Sequence, residues 1–120
     1  MSTVVSYVSE LHKDYNVHIV YKESPFYTLL KDLFEYMGST IAVLQIGTTN
    51  IFIDGEEIAK EYLTSNHLLA IEAHEIAHGL LKHSAGFDNR SEKEADALGA
   101  ILLEEKGYNE AAKLLRSRVG

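Results

Sequence analysis

The chain has 120 residues and a mass of 13.4 kDa, enough for one domain of ordinary size. With 46% hydrophobic and 24% charged residues, it carries enough apolar side chain to offset the entropy of ordering, which excludes a disordered chain. Its 18 acidic and 11 basic residues leave a charge of −7 that repels phosphate backbones and anionic lipid, and the lack of cysteine excludes disulfides, thiolate metal sites and a cysteine nucleophile.

The start, Met1-Ser2-Thr3-Val4-Val5, has neither the basic head nor the apolar run of a secretory signal. No stretch approaches the roughly 18 apolar residues of a membrane span. A soluble, cytoplasmic protein is therefore expected, with no nucleic-acid or membrane partner. One proline and no Gly/Ser-rich or repeated segment argue for a single domain over residues 1–120.

In chain order, residues 3 to 13 are expected to form a first helix with Val4, Val5, Val8 and Leu11 on one side. Val17 to Tyr21 is short and β-branched, which suits a strand. Ser24-Pro25 reads as an N-cap and a first-turn proline. Behind it, Phe26, Leu29, Leu30, Leu33, Phe34 and Met37 recur at helical spacing until Gly38. Ile41 to Ile46 and Asn50 to Ile53 read as two strands, turned at Gly47-Thr48-Thr49 and closed by Asp54-Gly55. Residues 66 to 83 form a helix that is apolar nearly all round, hence buried. Ser91-Glu92-Lys93-Glu94 has the form of a capping box, opening a helix that ends at Gly107. Asn109 can cap a last helix carrying Ala112, Leu114, Leu115 and Val119. About three strands and a helical half make a small α+β domain.

The buried helix holds His74-Glu75-Ile76-Ala77-His78. At about 100° and 1.5 Å per residue, the two histidines project about 40° apart, one turn along the axis. Two such imidazoles can reach one tetrahedral Zn²⁺. Glu75 stands about 60° to the side of His78, where it flanks a metal as a base. A shuffled chain of this composition, with its 6 His and 13 Glu, holds the H-E-x-x-H pattern about 3% of the time, so the spacing needs a second signal.

That signal is Glu92-Lys93-Glu94-Ala95-Asp96. Glu92 and Asp96 share a face one turn apart, so Glu92 can be a third ligand and Asp96 can accept from the free ring nitrogen of a ligating histidine. Glu94 lies about 200° round from Glu92 and is accounted for by the cap. On a helix that continues, His83 faces away from His74 and His78. It then serves as a C-terminal charge partner or sits near the cleft mouth. Leu81 and Ser84 stand where the longer metzincin pattern needs Gly and His.

Ala73-His74-Glu75-Ile76-Ala77-His78, followed by Glu92-Lys93-Glu94-Ala95-Asp96-Ala97-Leu98-Gly99-Ala100, resembles the gluzincin clan of zinc metallopeptidases. The similarity is greatest to the HtpX/CAAX-protease and ImmA/IrrE groups and, in so short a chain, to the minigluzincins. Asn50-Ile51-Phe52-Ile53-Asp54 resembles the strand that precedes the active-site helix in these families. The resemblance implies a zinc peptidase with one Zn²⁺ on His74, His78 and Glu92, with Glu75 as general base and Asp96 as the partner of His74. It further implies an oxyanion stabiliser, for which Tyr108, Arg90, His83 and Arg116 are candidates. The expected substrate is a peptide or protein, pairing with an exposed edge at Asn50 to Ile53. The alternative is a latent or non-catalytic zinc protein of the same fold. Many apolar helix faces on so small a domain suit a homodimer.

Overall fold

The structure is a computed structural model that describes residues 4–45, 47–83 and 89–119. Its elements run β1 (Val4–Val8), β2 (Asn16–Val20), α1 (Tyr27–Met37), β3 (Ala42–Leu44), β4 (Asn50–Asp54), α2 (Gly55–Lys60), α3 (Ser65–Leu80), α4 (Asn89–Glu105) and α5 (Asn109–Val119). The fold is α+β, with four strands where three were expected.

The extra strand replaces the helix expected over residues 3 to 13. Valine dominates β1, and its branched Cβ is stiff against a preceding helical turn but packs well on a pleated surface. β1 pairs antiparallel with β2, from Val4 opposite Val20 to Val8 opposite Asn16.

The sheet order is β1-β2-β4-β3. β2 and β4 are parallel, from Asn16 opposite Asn50 to Val20 opposite Asp54, whereas β3 runs antiparallel to β4. Asn50 to Ile53, expected at an exposed edge, is therefore interior, with a strand hydrogen-bonded on each side. The sheet edges are β1 and β3.

Side chains alternate across the sheet. Val17, Ile19, Ala42, Ile51 and Ile53 face a core shared with Ala70, Ala73 and Ile76 of α3 and with Ala100, Leu103, Ala112 and Leu115 beyond it. Val20, Val43 and Phe52 cluster on the other side with Leu30 and Phe34 of α1. The sheet thus lies between α1 and α3, and α4 and α5 pack against α3 as a further layer. This enclosure makes α3 buried nearly all round. Among the described residues, no helix is long and apolar enough to cross a membrane.

The helix ends refine the expected boundaries. Ser24 launches α1 through a turn: its hydroxyl accepts from the Phe26 N–H at 3.1 Å and its carbonyl from the Tyr27 N–H at 3.1 Å. Gly38, at φ 68°, closes α1 in the left-handed region where glycine pays no Cβ penalty. Asp54 does not close a strand into a loop but caps α2, a helix too short and polar to show as a pattern. Its fully buried carboxylate accepts from the Glu56 N–H at 3.0 Å and from Lys31 Nζ at 2.9 Å. Thr64 caps α3 in a reciprocal box with His67. Helix α4 is already under way at Asn89, so Ser91 lies inside its first turn and is not the N-cap.

One close approach sets where α4 lies against α3. A Cβ on Gly99 of α4 would stand 3.1 Å from the carbonyl carbon of Ala73 in α3 and 2.8 Å from Leu115 Cδ1. Leu115 can swing aside but the Ala73 backbone must give by a few tenths of an ångström, so glycine lets the two helices come this near without strain. Gly99→Ala should therefore destabilise the protein. Overpacking costs about 1–3 kcal/mol, against about 1 kcal/mol gained in helix propensity. Urea unfolding should show a lowered midpoint for this variant, and a raised midpoint would mean that the contact does not constrain the crossing.

Candidate metal centre

Helix α3 presents His74 and His78 on one face, and α4 brings Glu92 and Asp96 against them. His74 Nε2 lies 2.9 Å from Glu92 Oε2, His78 Nε2 lies 3.4 Å from Glu92 Oε1, and the two Nε2 atoms are 3.1 Å apart. Among the described residues this is the one group of three or more such side chains that could hold a metal ion. Two donors bound tetrahedrally to Zn²⁺ at about 2.0–2.1 Å stand about 3.3 Å apart, close to the separation of the two Nε2 atoms, and Glu92 turns one carboxylate oxygen toward each imidazole.

The chemistry of the donors fits a cation as well as their spacing does. Asp96 Oδ1 lies 2.7 Å from His74 Nδ1. A carboxylate can only accept, so the hydrogen of a neutral His74 ring is assigned to Nδ1 and Nε2 is left with a bare lone pair. That lone pair faces a carboxylate oxygen. Two electron-pair donors so close repel each other unless a proton or a metal lies between them.

His78 stays neutral at physiological pH. Burial, then the neighbouring His74 ring, disfavour its protonated form and lower its pKa to about 4. A neutral imidazole is the form that ligates a metal. Glu75, the next residue after His74, is 9% exposed, and the Glu92 side chain is 35% exposed.

Two expectations are corrected here. His83 does not face away. The helix stops at Leu80, and Lys82 takes a left-handed φ of 56°, which swings His83 back until its Nδ1 lies 2.9 Å from His78 Nδ1. Glu94 is not a capping residue. Its carboxylate lies 3.2 Å from His83 Nε2, and its other oxygen lies 3.8 Å from Arg90 Nε. The other oxyanion candidates are held by carboxylates outside the triad. Tyr108 donates to Glu10, and Arg116 donates to Glu104 at 2.9 and 2.7 Å. Ser84, at the position a metzincin would fill with histidine, lies outside the described residues.

Glu72, absent from the sequence reading, is 3% exposed and accepts from Tyr7 at 2.9 Å and Ser9 at 2.8 Å. Burial raises its pKa despite these hydrogen bonds. The cluster ties α3 to the end of β1, two residues before His74. No protein-family model matches the chain, and searches of curated proteins and of solved structures found no match either.

The lowered pKa of His78 sets a pH dependence. Between its folded value of about 4 and the ordinary 6.5, the unfolded chain binds the extra proton, so stability rises with pH and is lost as pH falls through that window. In metal-free protein, denaturant titrations from pH 7 to pH 4 should show this loss, and His78→Gln should show a shallower slope. Equal slopes would contradict the assignment.

Proposed function

We propose that this protein is a zinc-dependent metallopeptidase of the gluzincin type. The observation that carries the reading is the convergence of His74 Nε2, His78 Nε2 and a Glu92 carboxylate oxygen from two neighbouring helices. The resemblance of residues 73–78 and 92–100 to gluzincin motifs supports it, as does the mixed sheet packed on the helix that bears both histidines. His74, His78 and Glu92 would hold the ion. A Zn²⁺ there would supply a Lewis acid that brings the ionisation of water down to a pKa of about 7.

The side chains of the chain divide the remaining work. Glu75, beside both histidines on α3, takes the proton of the attacking water and gives it to the leaving amine. Asp96 holds the His74 ring in one tautomer and orientation. Glu92 closes the ligand set from α4 while leaving a solvent-facing side for substrate. An extended peptide cannot pair with β4, which is filled on both edges, so the open side of β3 takes that role. β3 packs on α3, and Leu44 lies near Gly79, one residue beyond His78.

Two measurements test this reading. Protein purified without added metal should contain about one zinc per chain by elemental analysis, and His74→Ala should lose it. Glu75→Gln should keep the zinc while cleavage of an unfolded protein substrate drops about 10²–10⁴-fold, the usual contribution of a general base. Wild-type turnover in Glu75→Gln would overturn the role of Glu75. Zinc without turnover in the wild-type chain would favour a latent or non-catalytic centre.

A further inference from the structure

Two histidines face the same carboxylate, yet only His74 has an acidic partner on its outer nitrogen. The outer nitrogen of His78 meets another imidazole. The hydrogen-bond directions along this second path follow from its far end. Glu94 Oε1, 3.2 Å from His83 Nε2, can only accept, so Nε2 of His83 carries the hydrogen. A neutral His83 then has a bare Nδ1, which can only accept. Among the described residues, the ring atom it can accept from is His78 Nδ1, 2.9 Å away. The His78 hydrogen is thereby fixed on Nδ1, and its Nε2 lone pair points at His74 Nε2 and Glu92.

We propose that His83 and Glu94 are positioning residues, a relay that sets the tautomer and ring orientation of His78 as Asp96 does for His74. The proposal rests on reading His74, His78 and Glu92 as a metal centre and extends it to a second, longer arm. Without the relay, His78 is free to carry its hydrogen on Nε2, the atom that must donate its lone pair to a cation. The arm crosses from the end of α3 to the first turns of α4, so it also ties the two ligand-bearing helices together. His83 is poised for this by the left-handed Lys82. Its side chain is only 14% exposed, unlike that of a solvated helix-end histidine.

The test reads the tautomer directly. Long-range ¹H–¹⁵N correlation spectra of the histidine rings are recorded on the metal-free 120-residue chain at neutral pH. Zn²⁺ affinity is measured separately by chelator competition. The wild-type spectrum should show His78 protonated at Nδ1 and bare at Nε2. His83→Leu should move hydrogen onto Nε2 and weaken Zn²⁺ binding about 10–100-fold, the usual cost of losing an outer partner of a ligand. His83→Asn, whose amide oxygen can stand in for the Nδ1 acceptor, should restore both. Glu94→Ala changes a half-exposed side chain at little risk to folding and should shift the His78 tautomer in the same direction as His83→Leu. A wild-type His78 protonated at Nε2 would overturn the relay, as would His83→Leu with tautomer and affinity both unchanged. If the wild-type chain shows the expected tautomer but takes up no Zn²⁺, the metal reading fails and the relay stands.

Discussion

The crossing of α3 and α4 governs the rest of the structure. The lack of a side chain at Gly99 lets that helix settle against the Ala73 backbone, and one residue beyond Ala73 stands His74. Asp96 and Glu92 lie one and two turns before Gly99, so the same contact that seats the helices sets the carboxylates opposite the imidazoles. Leu115 of α5 fills the outer side of the crossing, and the sheet fills the other side of α3. The side chains that would hold an ion are therefore fixed by apolar packing first and by their own attractions second.

The packing carries an electrostatic cost. Glu72, His74, Glu75 and Asp96 are all buried at or below 9% exposure, on helices whose other buried residues are Ala, Ile, Leu and Gly. Such groups are expensive to desolvate unless each finds a partner. Among the described residues, no buried side-chain nitrogen or oxygen lacks one. Glu72 is satisfied by hydroxyls of β1 and the loop behind it, and His74 by Asp96. His78 reaches through His83 to a carboxylate at the surface. A core that only needed to be stable would place leucine at these positions. Of the polar groups on these helices, His74, His78 and Glu92 converge on one point, and the outer nitrogens of both imidazoles are held by partners, which fits the demands of a preorganised ligand set.

Much of this was legible in the sequence because helical geometry is local. The four-residue spacings of His74 to His78 and of Glu92 to Asp96 each fix a shared face without knowledge of the fold. What was not legible depends on contacts far apart or on a single dihedral. His83 follows His78 by five residues and would point away on a continuous helix; only the positive φ of Lys82 turns it back. Glu72 meets Tyr7 and Ser9 across 65 and 63 residues, and nothing local announces that pairing. The first strand was hidden because Val4, Val8 and Leu11 also fit a helical spacing, and the pairing with β2 decided between the two. The interior place of β4 followed from the parallel pairing with β2, a long-range choice that its own residues do not encode.

The central claim is that one cation sits among His74, His78 and Glu92. Anomalous diffraction at the zinc edge, from crystals grown with Zn²⁺, tests it most directly. The account predicts a single strong peak about 2.0–2.2 Å from both Nε2 atoms and from a Glu92 carboxylate oxygen. A peak elsewhere on the protein, or no peak with Glu92 still resting directly against bare imidazoles, would contradict it.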